Sequence, residues 1–144
     1  MSQNATSPLL LILPFVAFAI FFPLFWGFVS FTIAALGGWR GLASRYGIER
    51  ESLPVQLAFT VGSARIGWAN YNNVFKIARD VECLYLDVIW VFRPGHQCLR
   101  IPVQNISAPV DRSFLFWNRR GFSVDGTEVT LSGHLARWLQ QQGI

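Results

Sequence analysis

The sequence predicts a membrane-anchored α+β protein, in which one N-terminal transmembrane helix precedes a small, mostly antiparallel β domain with a C-terminal helix. Three observations predict it. Residues 9–36 carry no charge. Beyond Pro54, short alternating runs are separated by turn residues. The chain ends in an amphipathic segment. We divide the 144 residues into four parts: tail 1–8, transmembrane helix 9–38, interfacial connector 39–54 and β domain 55–144.

The uncharged segment from Leu9 to Leu36 predicts a single membrane crossing. As a helix, its 28 residues would measure about 42 Å, against roughly 30 Å of hydrocarbon. Ser7-Pro8 resembles an N-cap with proline at the first helical position, and Gly37-Gly38 marks the end. A cleaved signal peptide is the alternative, but it needs a basic start and an apolar core of about 7–15 residues. Residues 1–8 contain no basic side chain, so we expect an anchor.

The residues that follow the helix predict its orientation. Residues 1–39 are uncharged, whereas Arg40, Arg45 and Arg50 come within a dozen residues after the helix. The positive-inside rule therefore places the β domain in the cytoplasm. Trp39, Arg40 and Arg45 are the expected anchors at the headgroup level, since an indole and guanidinium groups suit that layer.

Two sets of residues on the helix predict contacts. Ser30, Ala34 and Gly38 recur at spacing four, which would let a second helix approach closely; the alternative, that small residues are simply common near helix ends, weighs about equally. Large aromatic residues form another seam, which predicts contact with lipid, with aromatic helices of other subunits or with large flat cofactors held by a neighbouring subunit. This aromatic membrane face comprises Phe15, Phe18, Phe22 and Phe25.

Alternation and turn residues predict seven strands in the β domain. Asn70–Asn73 is expected to be a turn, Pro94-Gly95 the centre of a type II turn, and Asp125-Gly126 a hairpin turn. In the fourth strand, every second residue from Leu84 to Phe92 would fill the core. Its other face becomes apolar and is expected to be covered, by the final helix in preference to the bilayer or a partner. The strands are expected near 56–62, 64–70, 74–79, 83–92, 98–103, 112–118 and 121–131, with the final helix at 134–142.

Residues 74–106 resemble the middle of bacterial PH-like and GRAM-like domains. The matching positions are Leu84-Tyr85-Leu86, Leu99, Ile101-Pro102 and Ile106. The whole chain resembles a family of uncharacterised bacterial single-span membrane proteins, which share a Gly-Trp-x-x-Leu-Ala-x-x-Tyr motif (here 38–46) and an Asn-Tyr-Asn-Asn-like turn (here 70–73). The resemblance implies a PH-like barrel or sandwich and the bacterial inner membrane, and it brings no established activity.

The sequence offers no catalytic constellation. Nucleophilic catalysis needs a Ser or Cys beside a His base, but His96 lies in a predicted turn and His134 at a helix start. Cys83 and Cys98 are expected far apart on a predicted ladder, unpaired, and without metal-ligand spacing. Basic residues are scattered among eight acidic ones, which does not favour nucleic acid. We expect no enzyme activity, cofactor or metal.

These observations predict a non-catalytic accessory or assembly subunit of a larger bacterial membrane complex, respiratory or photosynthetic in kind. Its partners would be other integral membrane subunits and the lipid bilayer. The alternative is a membrane-tethered PH-like module that binds lipid or peptide. That function would need a basic pocket, for which Lys76, Arg79 and Arg100 are the candidate anionic-lipid contacts.

Overall fold

The computed structural model describes residues 7–112 and 118–143. Three helices and eight strands make up this part of the chain. The helices are α1 (Pro8–Leu36), α2 (Trp39–Tyr46) and α3 (His134–Gln141). The strands are β1 (Gly47–Ile48), β2 (Thr60–Ile66), β3 (Ala69–Arg79), β4 (Cys83–Val88), β5 (Cys98–Pro102), β6 (Val110–Asp111), β7 (Arg119–Val124) and β8 (Thr127–Ser132).

Helix α1 confirms the predicted N-terminal apolar helix. Pro8 occupies its first turn, although the Ser7 side chain makes no capping hydrogen bond. The best window of α1 has a mean hydropathy of 2.5, and none of that window is buried by the described part of the chain. Length and apolarity are properties that membrane spans and signal sequences share, and they make α1 a candidate transmembrane helix.

The strands form one antiparallel sheet in the order β1-β5-β4-β3-β2-β8-β7-β6. The prediction of an antiparallel β domain with a C-terminal helix is confirmed. Closure into a barrel is not found: in the described ranges the sheet is open, and its edges are the two-residue strands β1 and β6. Such short edges leave few unpaired backbone groups for another chain to pair with.

The first three predicted strands are in fact two. Strands β2 and β3 join through a turn at Gly67-Trp68, and Asn70–Asn73 lies within β3. The asparagines are compatible with a strand because Asn73 takes a left-handed φ of 56° where the register with β2 shifts. Its backbone N–H donates to Ser63 Oγ at 3.0 Å. The turn-like composition therefore marks a bulge, a place where asparagine tolerates the unusual backbone.

The predicted strand 83–92 ends at Val88, and a 3-10 turn follows at Trp90–Phe92. Residues 84, 86 and 88 are buried as predicted, but Trp90 is 76% exposed. Leu84 pairs with Ile101. A tight hairpin centred on Pro94-Gly95 would have paired it with Ile106, and the pairing differs because residues 89–97 form a wide loop. Within it, the Pro94-Gly95 turn is confirmed: Gly95 has a φ of 77°, and the His96 N–H bonds to Arg93 O at 2.8 Å.

The predicted turn at Asp125-Gly126 and the predicted final helix are both present. Asp125 and Gly126 both have positive φ, 49° and 82°, and connect β7 to β8 as the I′-type hairpin that was predicted. Helix α3 is confirmed, with Leu135 and Leu139 fully buried and Trp138 packed against the core. Most of the predicted strand 112–118 lies outside the described residues.

Helix α2, which lies within the predicted interfacial connector, packs into the domain core. Trp39 and Leu42 of α2 are buried with the inward face of the sheet. Trp39 is the largest fully buried side chain in the described part of the chain. The buried core thus includes residues of the predicted connector directly after α1.

The outer face of β4 is covered by the segment between α2 and β2 and not by the final helix. Ala78, Cys83 and Tyr85 form a second buried cluster, against which four residues of that segment pack: Ile48, Leu53, Leu57 and Phe59. The apolar character of this face predicted a cover correctly, but α3 packs against the opposite face, near β2, β7 and β8.

A buried ion pair fastens the connector to the sheet. Arg50 donates two hydrogen bonds to the Asp87 carboxylate, from Nη2 at 2.6 Å and from Nε at 3.2 Å. The Asp87 side chain is only 2% exposed. The same Nη2 lies 2.6 Å from His96 O, so one guanidinium joins the connector, β4 and the 89–97 loop.

We expect Asp87→Ala to destabilise the protein by about 3 kcal/mol, because it leaves the Arg50 charge without its partner. Urea unfolding of the full chain in detergent, followed by circular dichroism, measures this loss. Glu128→Ala is the control, because Glu128 pairs with Arg112 at an exposed site and its loss should be much smaller. Equal unfolding midpoints for the two variants would show that the buried pair does not hold the domain together.

Candidate functional site

The candidate functional site is the junction between α1 and the 89–97 loop, where the apolar helix meets the β domain. Trp26 Nε1 donates to Val91 O at 2.9 Å. One turn later, Ser30 Oγ lies 2.9 Å from both Phe92 O and Pro94 O. The Trp26 N–H thus pairs with the Val91 carbonyl, and the single Ser30 hydroxyl proton is shared between the carbonyls of Phe92 and Pro94.

Close backbone approach extends the junction to the end of α1. A Cβ on Gly95 would lie 2.7 Å from Phe31 Cα, and a Cβ on Gly37 would lie 2.6 Å from Ala69 Cβ. Trp68 Nε1 donates to Leu36 O at 2.7 Å. About three turns of α1 are therefore fixed against the domain, and the helix has no flexible hinge there.

A chain of buried polar groups runs from the helix into the domain. His96 Nε2 lies 3.0 Å from Tyr71 OH, while Nδ1 lies 3.3 Å from Pro94 O and 3.5 Å from Ser30 Oγ. A neutral imidazole with its proton on Nδ1 satisfies these partners, because Nε2 then accepts from Tyr71. Burial lowers the pKa of His96 below its ordinary 6.5 and raises that of Tyr71, so both groups stay uncharged at neutral pH.

The Ser30–His96 pair is structural and does not resemble an exposed nucleophile with its base. Each residue is only 1% exposed, so a substrate has no access, and backbone carbonyls accept from the serine hydroxyl. Cys98 is equally enclosed, and its burial raises the thiol pKa to about 11, which keeps it a poor nucleophile. Cys83 is also buried and free. No group of three or more potential metal ligands occurs in residues 7–112 and 118–143.

The predicted small-residue row does not face a second helix. Ser30 and Ala34 are buried against the chain's own loop, and Gly38 lies outside α1 with a left-handed φ of 97°. A Cβ on Gly38 would meet Thr127 of β8 at 3.2 Å. In this structure, the surface that these small residues approach closely belongs to the β domain.

The three predicted interface anchors lie in different surroundings. Trp39 is fully buried, and its Nε1 donates to Gln97 O at 2.9 Å, so its prediction as a headgroup anchor is wrong. Arg40 is exposed and lies over the Phe31 ring, 5.4 Å from its centroid. Arg45 and Tyr46 both donate to Asp125. These two hydrogen bonds lower the pKa of the Asp125 carboxyl, and the bond from Tyr46 has the larger effect.

The aromatic residues of α1 are exposed and stacked. All four predicted members, Phe15, Phe18, Phe22 and Phe25, are exposed, and their contact with lipid or subunits stays a prediction. The Phe18 and Phe22 ring centroids are 5.3 Å apart, and the stack continues through Trp26 to Phe92 of the loop. This column leads directly into Ser30 and Ala34, so the aromatic and small residues form one continuous row.

The three candidate lipid contacts do not converge. In the sheet register, Lys76 and Arg100 lie on the outer face with Asp87 and Tyr85. Arg79 pairs with Leu84 and therefore lies on the opposite face. Lys76 lies over the Phe59 ring, Arg100 Nε is 3.4 Å from Cys83 Sγ, and Arg79 donates to Gln142 O. The contacts these residues make do not support the predicted basic pocket.

Sequence reasoning missed Trp26, Tyr71, Asp87 and the 89–92 turn as parts of the junction. A signal was available for Trp26, because a single indole in an otherwise aliphatic and phenylalanine-rich helix must satisfy its N–H in some way. Asp87 offered another, as a carboxylate inside an apolar run. Their partners are separated by 37 to 65 residues and had no local pattern.

No protein-family model, curated protein or solved structure matches this chain. The PH-like resemblance therefore stays an expectation, and the function of the chain has to be inferred from the geometry of the described residues.

We predict that the stability of the protein falls as the pH is lowered below about 6.5, in part because of His96. The unfolded imidazole takes up a proton near its ordinary pKa of 6.5, whereas the folded one is held below it. The unfolded state then binds more protons, so acid favours unfolding. Urea midpoints measured between pH 5 and pH 8, on wild type and His96→Gln, should show a shallower pH dependence for the variant. Parallel curves would contradict the assignment.

Proposed function

We propose that the chain is a membrane-anchored, non-catalytic accessory or assembly subunit, in which α1 crosses the bilayer and the β domain is held at the membrane surface next to partner subunits. The observation that carries this proposal is the rigid junction of α1 with the 89–97 loop. A helix that is fixed to its domain through Trp26, Ser30 and the Leu36 carbonyl presents both surfaces to a partner in one defined arrangement.

The same junction favours an anchor over a cleaved leader. A signal sequence is removed from the mature protein, but removal of α1 here would expose the loop carbonyls that Trp26 and Ser30 satisfy. It would also uncover the Gly95 and Ala69 surfaces that the helix covers. The exposed Arg40 at the end of α1 supports the orientation with the β domain in the cytoplasm, because the rule counts basic residues near the span.

The junction also limits where a partner helix can approach. Each residue of a helix advances by about 100° around its axis. Phe21, Phe25 and Phe28 therefore lie on the side of α1 opposite Ser30, within about 40°. All three are exposed, and the rings of Phe21 and Phe25 stack with centroids 5.6 Å apart. A helix running alongside Ser30 would collide with the 89–97 loop, so the far side is left for a partner subunit.

Photo-crosslinking in native membranes tests this assignment. We would place p-benzoylphenylalanine at Phe21 or Phe25 in the full chain, with the same replacement at Phe22 as the matched control. Phe22 stacks toward Trp26 and the domain side. We expect a discrete protein adduct from positions 21 and 25 and little from position 22, because crosslinking requires direct contact.

Two results would contradict the proposal. Adducts with lipid alone at all three positions would show that no subunit contacts α1, and equal protein adducts at all three would show no preferred side. Native mass measurement after mild extraction provides a second readout, in which a monodisperse monomer would also oppose an accessory subunit.

A further inference from the structure

The tip of the 89–97 loop is an apolar turn that carries one prominent indole. Trp90 is 76% exposed, and its neighbours Ile89, Val91 and Phe92 are half-buried. Single exposed apolar side chains are ordinary on protein surfaces. The position of this one relative to α1 gives it significance.

Contacts along α1 show how far the loop reaches. Gly95 approaches Phe31 and Ala34, Phe92 and Pro94 are held by Ser30, and Val91 is held by Trp26. Successive loop residues thus contact successively earlier turns of the helix. Trp26 precedes Leu36, the last residue of α1, by ten residues, so the loop tip extends about 15 Å along the helix toward its N-terminus.

This reach brings the tip to the expected edge of the bilayer. The part of α1 before Trp26, residues 8–25, makes no hydrogen bond to the domain among the described contacts and is exposed throughout. Eighteen helical residues span about 27 Å, close to the roughly 30 Å hydrocarbon thickness of a bilayer. Trp26 therefore falls at the boundary between hydrocarbon and headgroups, and Trp90, one residue from its partner Val91, lies near the same level.

The charges beside the tip match an interfacial position. Arg93 follows the apolar turn and its side chain is 43% exposed, and Arg40 lies beside α1 over Phe31. The carboxylate of Asp87 lies 4.0 Å from Arg93 Nη2, but it is buried and already paired with Arg50. An indole at the acyl boundary with arginines on the headgroup side is the usual composition of a membrane-interface contact.

We propose that residues 89–93 form a second membrane contact, in which Trp90 inserts at the headgroup–acyl boundary while Arg93 and Arg40 contact lipid phosphates. This inference rests on the proposed membrane span of α1. It adds a contact that the span alone does not require. With two contacts, the helix and the loop tip, the β domain has one fixed face toward the bilayer.

Spin-label accessibility on the full chain in phosphatidylcholine–phosphatidylglycerol vesicles tests the proposal. Three nitroxide-labelled variants are compared: Trp90→Cys, Val81→Cys and Phe18→Cys. Val81 is the control, because it is also exposed, at 92%, but it lies in the turn between β3 and β4, at the end of β4 opposite to the 89–97 loop and about 20 Å away along the strand. Wild type gives the labelling background, since Cys83 and Cys98 are buried.

We expect the label at position 18 to collide with oxygen and not with a water-soluble nickel chelate. The label at position 90 should show intermediate oxygen access with reduced nickel access, and the label at position 81 should show full nickel access. A position-90 label as accessible to nickel as position 81, with position 18 in lipid, would overturn the loop contact and leave the span intact. Protection of position 90 from both reagents would mean that protein covers it, which also overturns the contact.

A water-accessible label at position 18 would instead overturn the membrane span in the proposed function. The two failures are therefore distinguished by different labels. Replacing phosphatidylglycerol with phosphatidylcholine tests the arginine contribution separately. Attraction of Arg93 and Arg40 to the net negative charge of phosphatidylglycerol predicts that nickel access at position 90 rises in the neutral vesicles.

Discussion

The structure depends on hydrogen bonds that pass from side chains of α1 and α2 to backbone carbonyls of one loop. Trp26, Ser30 and Trp39 each donate to this loop, between Val91 and Gln97. Each buried hydrogen bond contributes only about 0.5–1.5 kcal/mol net, but an unpaired buried carbonyl costs more than its bond gains. The loop can adopt its wide path only because the helices satisfy these groups.

A second set of interactions holds the same loop on the side of the sheet and the connector. Arg50 bonds to both Asp87 and His96 O, and Tyr71 bonds to the His96 ring. The loop is thus fixed between the apolar helix on one side and the sheet with its connector on the other. Ser30, Asp87 and His96, each 1% exposed, all belong to this arrangement. The attachment of the helix therefore uses buried polar groups from three separate parts of the chain.

Sequence patterns predicted the elements whose cause is local. The apolar length located α1, the left-handed backbone at Asp125-Gly126 specified the last hairpin, and apolar spacing identified α3. Patterns failed where a distant partner decides the outcome. Asn73 looked like part of a turn, although a bulge opposite Ser63 accommodates it. Trp39 looked like an interfacial residue, although the domain encloses it. The sequence alone does not reveal which surface covers an indole, since lipid and a protein core attract it equally well.

The sequence indicated which residues of the candidate site pack closely, but not which elements they pack against. Small residues near the end of α1 did indicate close packing, and the apolar outer face of β4 did indicate a cover. The identities of the covering elements could not follow from the sequence, because each depends on a contact between segments about 30 to 65 residues apart.

The fixed attachment of α1 has a consequence for how the protein responds to membranes of different thickness. A free single helix can tilt or slide to match a thicker or thinner bilayer, at a small cost per ångström. In the proposed membrane span, sliding would move the whole β domain through the headgroup layer, because Trp26 and Ser30 attach the helix to the domain. Adjustment would then come from the lipids or from tilting of the entire molecule, so the proposal implies that the chain partitions among membranes according to the length of residues 8–25.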